Sequence, residues 1–147
     1  MAHPRRAFCT LAAIAAALLT SAHAIGAQRD SDDKKPSLSL KATPPLGFSP
    51  LKVHAVVEVR GGSDDYVDFY CAGSEWDWGD GTVSESSSDC DPYEAGKSTI
   101  RRRFSADHVF RLQGAHKVVF RLKQKTRVVA SATANIQVRA GSDEFDQ

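Results

Sequence analysis

The stretch that decides the fold is Glu75-Trp76-Asp77-Trp78-Gly79-Asp80-Gly81-Thr82. Trp76 and Trp78 lie two positions apart, so in a β-strand, where side chains alternate between faces, they share one face and can be buried together. The Asp-Gly pair that follows is typical of a tight turn, because Asp80 can bond the backbone ahead of it and Gly81 can take a positive φ. The stretch therefore predicts a core strand of a β-sandwich that runs directly into a turn.

Alternating apolar and polar residues continue along the chain. From Leu51 to Val59 every second side chain is apolar, which predicts one face in the core and one in solvent. No pattern with a period of 3.6 residues is long enough for a helix, so we predict an all-β chain. The predicted strands cover residues 37–43, 51–60, 66–78, with an interruption at Cys71-Ala72-Gly73, and 99–104. Two long strands follow. The inward residues of the first are His116, Val118, Phe120 and Leu122, and those of the second are Val128, Ala130, Ala132, Ala134, Ile136 and Val138.

The N-terminus predicts an export signal over residues 1–24. Arg5 and Arg6 precede an apolar run over residues 7–19, and Ala22-His23-Ala24 is a small-residue cleavage site. The run is shorter than the roughly 20 residues of a membrane-spanning helix. We therefore expect a secreted or periplasmic protein without stable membrane insertion, exported by general secretion or by the twin-arginine route.

Two cysteines, Cys71 and Cys90, remain once Cys9 is removed with the signal peptide. An even pair in a chain bound for an oxidising compartment predicts a disulfide, which would stabilise the fold by about 3 kcal/mol. A metal site or a redox pair would need ligand spacing or a Cys-x-x-Cys motif that the sequence lacks.

The chain is long enough for one domain with its own core. Residues 25–36 are rich in charge and predict a flexible leader, and residues 141–147 predict a short acidic tail. We accordingly assign residues 37–140 to a single β-sandwich domain.

Three blocks occur in order along this domain: Gly47-Phe48-Ser49-Pro50-Leu51-Lys52-Val53, Trp76-Asp77-Trp78-Gly79-Asp80-Gly81, and His108-Val109-Phe110 followed by Gly114. In these blocks the chain resembles the PKD (polycystic kidney disease) domain family over about residues 37–139. The resemblance implies an antiparallel, immunoglobulin-like β-sandwich. It departs from the family pattern at His116, where a tyrosine is usual, and in a longer link over residues 83–98. It implies structural roles for Trp76, Asp77, Trp78, Gly79, Asp80, Gly81, His108, Phe110 and Gly114.

The carboxylates of Asp77 and Asp80 invite a Ca²⁺ hypothesis, since acidic residues also occur in the neighbouring loops. Their spacing fits no EF-hand, and the resemblance implies that both bond turn amides, so we expect no metal and no other cofactor. His108 could act as a base, but its position in the motif implies packing beneath the tryptophan strand. No hydrolase, phosphate-binding or dinucleotide motif is present, and we expect a protein that is not an enzyme.

Charge is divided between the two halves of the domain, although the net charge is only +1. Residues 61–100 are mostly acidic and residues 101–140 mostly basic, so a basic stripe could bind an anionic partner. The alternative, which we favour, is that the halves neutralise each other within the fold. The candidate binding residues of the stripe are Arg101, Arg103, Lys117, Arg121 and Lys123.

The leading functional hypothesis is an exported, non-catalytic interaction module that binds a protein or polysaccharide, possibly an anionic one. Nucleic acid is a poor candidate for an exported domain. Two alternatives remain: a small secreted enzyme inhibitor or hydrolase that uses the insert from Cys71 to Cys90, and a structural envelope protein. The hypothesis of an interaction module rests mainly on analogy with domains of the same fold.

Overall fold

The computed structural model describes residues 35–141, so the predicted signal peptide, nearly all of the leader and most of the acidic tail lie outside the described part. Eight strands and a 3₁₀ turn at Val67–Phe69 make up the fold. Within residues 35–141, no helix is long and apolar enough to cross a membrane. The strands are β1 (Ser37–Thr43), β2 (Leu46–Phe48), β3 (Leu51–Arg60), β4 (Gly73–Asp77), β5 (Val83–Ser86), β6 (Arg103–Phe110), β7 (Gly114–Gln124) and β8 (Arg127–Arg139).

Two sheets pack face to face in an immunoglobulin-like β-sandwich, as predicted. One sheet has three strands in the order β1-β3-β6, and the other has five in the order β2-β8-β7-β4-β5. The pairs are antiparallel except for β2 and β8, which run parallel. This exception follows Pro44-Pro45, where the chain leaves the three-stranded sheet after β1 and joins the five-stranded sheet as β2.

The core lies between the sheets and is built from the residues that the alternation predicted. The inward residues of β3, from Leu51 to Val59, are all buried, and Val118, Phe120 and Leu122 of β7 face them. Trp76 and Trp78 are both buried and lie with 5.6 Å between ring centres. The prediction that the two tryptophans share the core face is confirmed.

Two of the predicted strands have different bounds in the structure. Residues 66–72 do not extend β4: a 3₁₀ turn occupies Val67–Phe69, and Cys71 has a positive φ of 52°. The strand predicted at 99–104 begins only at Arg103 and continues to Phe110, because the amide of Ile100 bonds the carbonyl of Asp64 in a loop instead of a strand partner. Alternation by itself did not show these loop contacts.

The prediction that Val128 faces the core is wrong. A β-bulge lies where Leu122 pairs with Ala130 while Lys123 pairs with Val128, so Val129 is the extra residue. A bulge changes the phase of the strand by one residue. Val129 is therefore buried, with 4% of its surface exposed, and Val128 is 48% exposed.

Cys71 and Cys90 are bonded to each other, with 6.0 Å between their Cα atoms. The disulfide prediction is confirmed. The bond joins the residues before β4 to the insert between β5 and β6. Tyr70 and Tyr93 fasten the same region, since their hydroxyls donate to the carbonyls of Asp91 and Asp65, at 2.9 and 2.8 Å.

The bulge can be tested with a pair of aspartate substitutions. Val129→Asp should lower the free energy of unfolding by more than about 3 kcal/mol, because it buries a charge that has no partner. Val128→Asp, one residue away, should change it by less than about 0.5 kcal/mol. Urea unfolding of both variants measures the difference. Equal losses would show that the bulge is misplaced.

Candidate functional site

The turn that follows β4, residues 78–82, is held by Asp77 and Asp80, and we call it the signature turn. Asp77 Oδ1 accepts a hydrogen bond from the amide of Gly79, and Asp80 Oδ1 accepts bonds from the amide and hydroxyl of Thr82, at 3.1 and 2.6 Å. Gly79 has a φ of 74°, and a Cβ there would lie 2.6 Å from the carbonyl oxygen of Lys117. Both carboxylates thus bond turn amides, the role that the resemblance implied. At position 79 only glycine fits beside β7.

Asp80 also bonds His108, a contact that sequence reasoning did not anticipate. His108 Nε2 lies 2.6 Å from Asp80 Oδ2, and both side chains are more than four-fifths buried. The imidazole stacks on Trp78 at 4.5 Å and meets the edge of Phe110 at 4.7 Å. Burial would raise the pKa of Asp80, but the hydrogen bonds from Thr82 and His108 outweigh it and lower that pKa below its ordinary value.

This arrangement does not form an activated nucleophile. The Thr82 hydroxyl bonds the carboxylate of Asp80 and not the imidazole, so His108 is not placed to accept its proton. His54 bonds Asp107, and His116 lies between the carbonyls of Gly79 and Leu112, each at 3.3 Å. Within residues 35–141, no imidazole is hydrogen-bonded to a hydroxyl or a thiol.

Three carboxylates between β3 and β4 bond groups within the domain. Asp64 bonds Arg102 at 2.6 Å and Asp68 bonds Arg127 at 3.0 Å, while Asp65 accepts the amide of Gly96. In the described part of the chain, no three His, Cys, Asp or Glu side chains are grouped so that they could hold a metal ion.

The outer face of the five-stranded sheet carries a network of neutralised charges. Arg121 and Lys123 donate to the two oxygens of Glu75, at 2.6 and 2.7 Å. Arg121 also reaches Asp77 at 3.4 Å, and Lys123 reaches Glu85 at 3.2 Å. The hydrogen bonds from Lys123 and then Arg121 lower the pKa of Glu75 to about 2. This network is the mutual neutralisation that the sequence suggested as an alternative to a binding stripe.

The five candidate binding residues do not form one stripe. Arg121, Lys123 and Lys117 lie on the outer face of the five-stranded sheet, because they alternate with buried residues of β7. Arg103 is on β6 and faces outward from the other sheet, opposite Glu58. Arg101 precedes β6, and its guanidinium lies 4.7 Å from the ring centre of Phe104. One stripe that joins the cations of the two sheets is excluded, because the outer faces of the two sheets point in opposite directions.

A shallow trough lies on the outer face of the three-stranded sheet. It has a volume of about 490 Å³. Half-buried Val56 lies at its centre between Lys41 and Ser105 in the strand register, and longer charged side chains surround it. The trough is lined by Ser39, Lys41, Thr43, His54, Val56, Glu58, Arg60 and Arg103.

Positive charge is in excess in this trough. Arg60 and Arg103 share a single carboxylate, that of Glu58, at 2.9 and 3.6 Å. Lys41 forms no ion pair with an acidic residue of the described chain. The hydrogen bond from Arg60, with the charges of Arg103 and Lys41, lowers the pKa of Glu58. Of the five candidate residues, Arg103 lines this trough.

No protein-family model matches the sequence, and no curated protein is similar to it. Among solved structures, the PKD domain of an M14-like peptidase from a Thermoplasmatales archaeon is similar, with a TM-score of 0.48 and 11% identity over 71% of this chain and 96% of that chain. The CARDB domain of the PF1109 protein from Pyrococcus furiosus has a TM-score of 0.45 and 13% identity over 70% of this chain and 94% of that chain. A second structure of that domain, in complex with di-metal ions, has a TM-score of 0.45 and 10% identity, over 72% and 96%. The assignment of an immunoglobulin-like β-sandwich rests on the strand order of the two sheets, which is given above.

Stability should depend on pH through Glu75. Its carboxyl titrates at about 2 in the folded domain and at its ordinary value of 4.5 when unfolded. Between these values the unfolded chain binds more protons, so the free energy of unfolding should fall as the pH is lowered from 4.5 towards 2. Glu75→Gln should flatten this dependence in urea titrations, whereas Glu94→Gln, an exposed carboxylate outside this network, should keep it. An unchanged slope in Glu75→Gln would contradict the assignment.

Calcium should have little effect on stability if Asp77 and Asp80 only hold the turn. A ligand stabilises a fold in proportion to its preferential binding to the folded state, and saturation at about one hundred times the dissociation constant would add about 2.7 kcal/mol. We expect the same melting temperature in millimolar Ca²⁺ and in chelator. A chelator-reversible rise that Asp80→Asn abolishes would instead identify a metal site.

Proposed function

We propose that this protein is an exported, non-catalytic interaction module, and that its trough binds a polysaccharide that carries carboxylate groups. Export is supported by the signal-like N-terminus and by the Cys71–Cys90 disulfide, which suits an oxidising compartment. The observation that carries the proposal is a contrast between the two outer faces: Arg121 and Lys123 of the five-stranded sheet are bonded to several carboxylates, whereas Lys41, Arg60 and Arg103 of the trough have one carboxylate among them.

The charges of the trough suit a carboxylated ligand. Arg103 and Arg60 have only one carboxylate between them, so each guanidinium keeps donors for a ligand. Planar guanidinium groups match carboxylates in a bidentate geometry, and Lys41 adds a further positive charge at the rim. A ligand carboxylate would therefore meet charged donors without displacing an existing network.

The other lining groups suit a sugar. The hydroxyls of Ser39 and Thr43 and the ring of His54 offer donors and acceptors along one side of the trough. Val56 at its centre gives a small apolar contact for the C–H face of a ring. The volume, about 490 Å³, lies within the range of small-ligand pockets and would hold a short segment of a polymer.

A hydrolase receives less support than an interaction module. It would need a base beside a nucleophile, and the imidazoles of residues 35–141 bond carboxylates and carbonyls instead. An inhibitor would act through a rigid, exposed loop, and the insert is of this kind, because it is largely exposed and Tyr70, Tyr93 and the disulfide fasten it to the neighbouring loop. An inhibitor that uses the insert is therefore the second candidate function.

Titration with an oligomer of a uronic acid tests the proposal. Lys41→Ala/Arg103→Ala should weaken binding about tenfold or more, since each lost charge contact at a surface is worth up to about 1 kcal/mol. The matched control is Lys117→Ala, an exposed cation on the other sheet, and it should bind like the parent. Calorimetry at two salt concentrations measures the affinity and its electrostatic part.

Several outcomes would contradict this function. Equal binding of a neutral oligomer of the same length would remove the role of the carboxylates. Equal weakening by Lys117→Ala would indicate nonspecific attraction. If an acidic peptide binds through Lys41 and Arg103 and the uronic acid oligomer does not, the partner is a protein instead of a polysaccharide.

A further inference from the structure

A histidine, His54, lies in the lining of the trough. It is on β3, its side chain is 52% exposed, and its neighbours on the same face of the strand are Lys52 and Val56. In the strand register it lies opposite Thr43 of β1 and Asp107 of β6. The imidazole therefore lies between a hydroxyl of the trough and a carboxylate beside it.

Asp107 determines which nitrogen of the neutral ring carries the hydrogen. His54 Nδ1 lies 2.9 Å from Asp107 Oδ1. An ionised carboxylate only accepts hydrogen bonds, so Nδ1 donates, and Nε2 of the neutral ring keeps its lone pair. Within residues 35–141, this ring forms its hydrogen bond through Nδ1 and not through Nε2. The neutral pair thus presents an acceptor and a negative charge, and both oppose the binding of a carboxylated ligand.

Protonation of the ring reverses both effects. Nε2 becomes a donor, and the charge of His54 cancels that of Asp107, so the pair changes from one negative charge to none. Histidine is the side chain whose charge ordinarily changes between about pH 5 and 8, whereas lysine, arginine and glutamate ordinarily titrate outside this range. Glu58, the carboxylate of the lining, is moved further from this range, because the hydrogen bond from Arg60 lowers its pKa.

The charged groups that face His54 come from all three strands of its sheet. Asp107 of β6 bonds the ring, Lys41 of β1 lies diagonally across from it, and Lys52 lies two residues before it on β3. Both lysines attract a carboxylated ligand. Of these three groups, Asp107 is the one that repels such a ligand, and its charge is the one that a protonated His54 cancels.

The other two histidines of residues 35–141 lie away from the trough. His108 faces inward from β6, is more than four-fifths buried and stacks on Trp78. His116 is buried on β7, which belongs to the other sheet. Neither side chain lines the trough, so a ligand there would contact His54 alone among these three imidazoles.

We propose that His54 makes the trough bind its carboxylated ligand more tightly in acidic solution. This inference rests on the function proposed above, because it concerns the same site. As the pH falls from 8 to 5.5, the imidazole gains a charge and a donor, whereas ordinary carboxyl groups, which titrate near about pH 4, stay ionised. The protein would therefore retain its polymer in an acidic medium and release it as the pH rises.

Calorimetric titration with the uronic acid oligomer at pH 8 and at pH 5.5 tests the inference. The parent should bind about fivefold more tightly at pH 5.5, because one charge contact at a surface changes an affinity by up to about that factor. Linkage is reciprocal, so binding between these pH values should take up protons. Proton uptake is measured from the dependence of the binding heat on the ionisation enthalpy of the buffer.

Two substitutions fix the charge of the pair. His54→Gln keeps the negative charge at both pH values, so it should bind at pH 5.5 as weakly as the parent does at pH 8, and without proton uptake. Asp107→Asn removes that charge, so at pH 8 it should bind about as tightly as the parent does at pH 5.5. The matched control is Asp89→Asn, an exposed carboxylate of the insert, and it should bind like the parent at both pH values. His54 and Asp107 are about half exposed, and their variants should keep the parent's melting temperature.

The outcomes separate this inference from the function on which it rests. Equal affinity at both pH values, together with weaker binding by Lys41→Ala/Arg103→Ala, would overturn the inference and leave the proposed function intact. A pH dependence in His54→Gln as large as in the parent would assign the effect to other groups and would also overturn it. No binding of the oligomer at either pH would overturn the proposed function, and the inference with it.

Discussion

The ring of Trp78 joins the two sheets and the signature turn. It stacks on Trp76 of β4 and on His108 of β6, which belongs to the opposite sheet, at 5.6 and 4.5 Å. Its Nε1 donates to the hydroxyl of Ser84 on β5. Because His108 in turn bonds Asp80, the end of β4 is fixed to the opposite sheet by stacking and by a charge-assisted hydrogen bond. The position of the turn, and through His116 that of the Leu112 loop, depends on this contact.

The distribution of charge follows from which strands the fold makes neighbours. β4 supplies Glu75 and β7 supplies Arg121, and the pairing of these strands places the two residues directly opposite each other. Side chains of opposite charge interact when they lie across from each other on neighbouring strands. The charges of the acidic and basic halves of the sequence therefore neutralise each other where β4, β5 and β7 lie side by side. The three-stranded sheet also has a cross-strand pair, Glu58 opposite Arg103, but Glu58 bonds Arg60 as well, so that one carboxylate faces two guanidinium groups.

Alternation along the sequence determined most of the core. The inward face of β3, the burial of Trp76 and Trp78 and the Asp-Gly turn are all local properties of a strand with a period of two, and the chain carries them without reference to its partners. The pairing of Cys71 with Cys90 followed from their number and compartment. Tertiary structure alone decided the bulge that turns Val128 outward, the start of β6 at Arg103 and the contact between Asp80 and His108. It also decided which cations are neutralised, because Arg121 and Arg103 look alike in the sequence and differ only in the strands beside them. Such features depend on residues far apart in the chain, and their pairing is set by strand register, which no single stretch of sequence specifies.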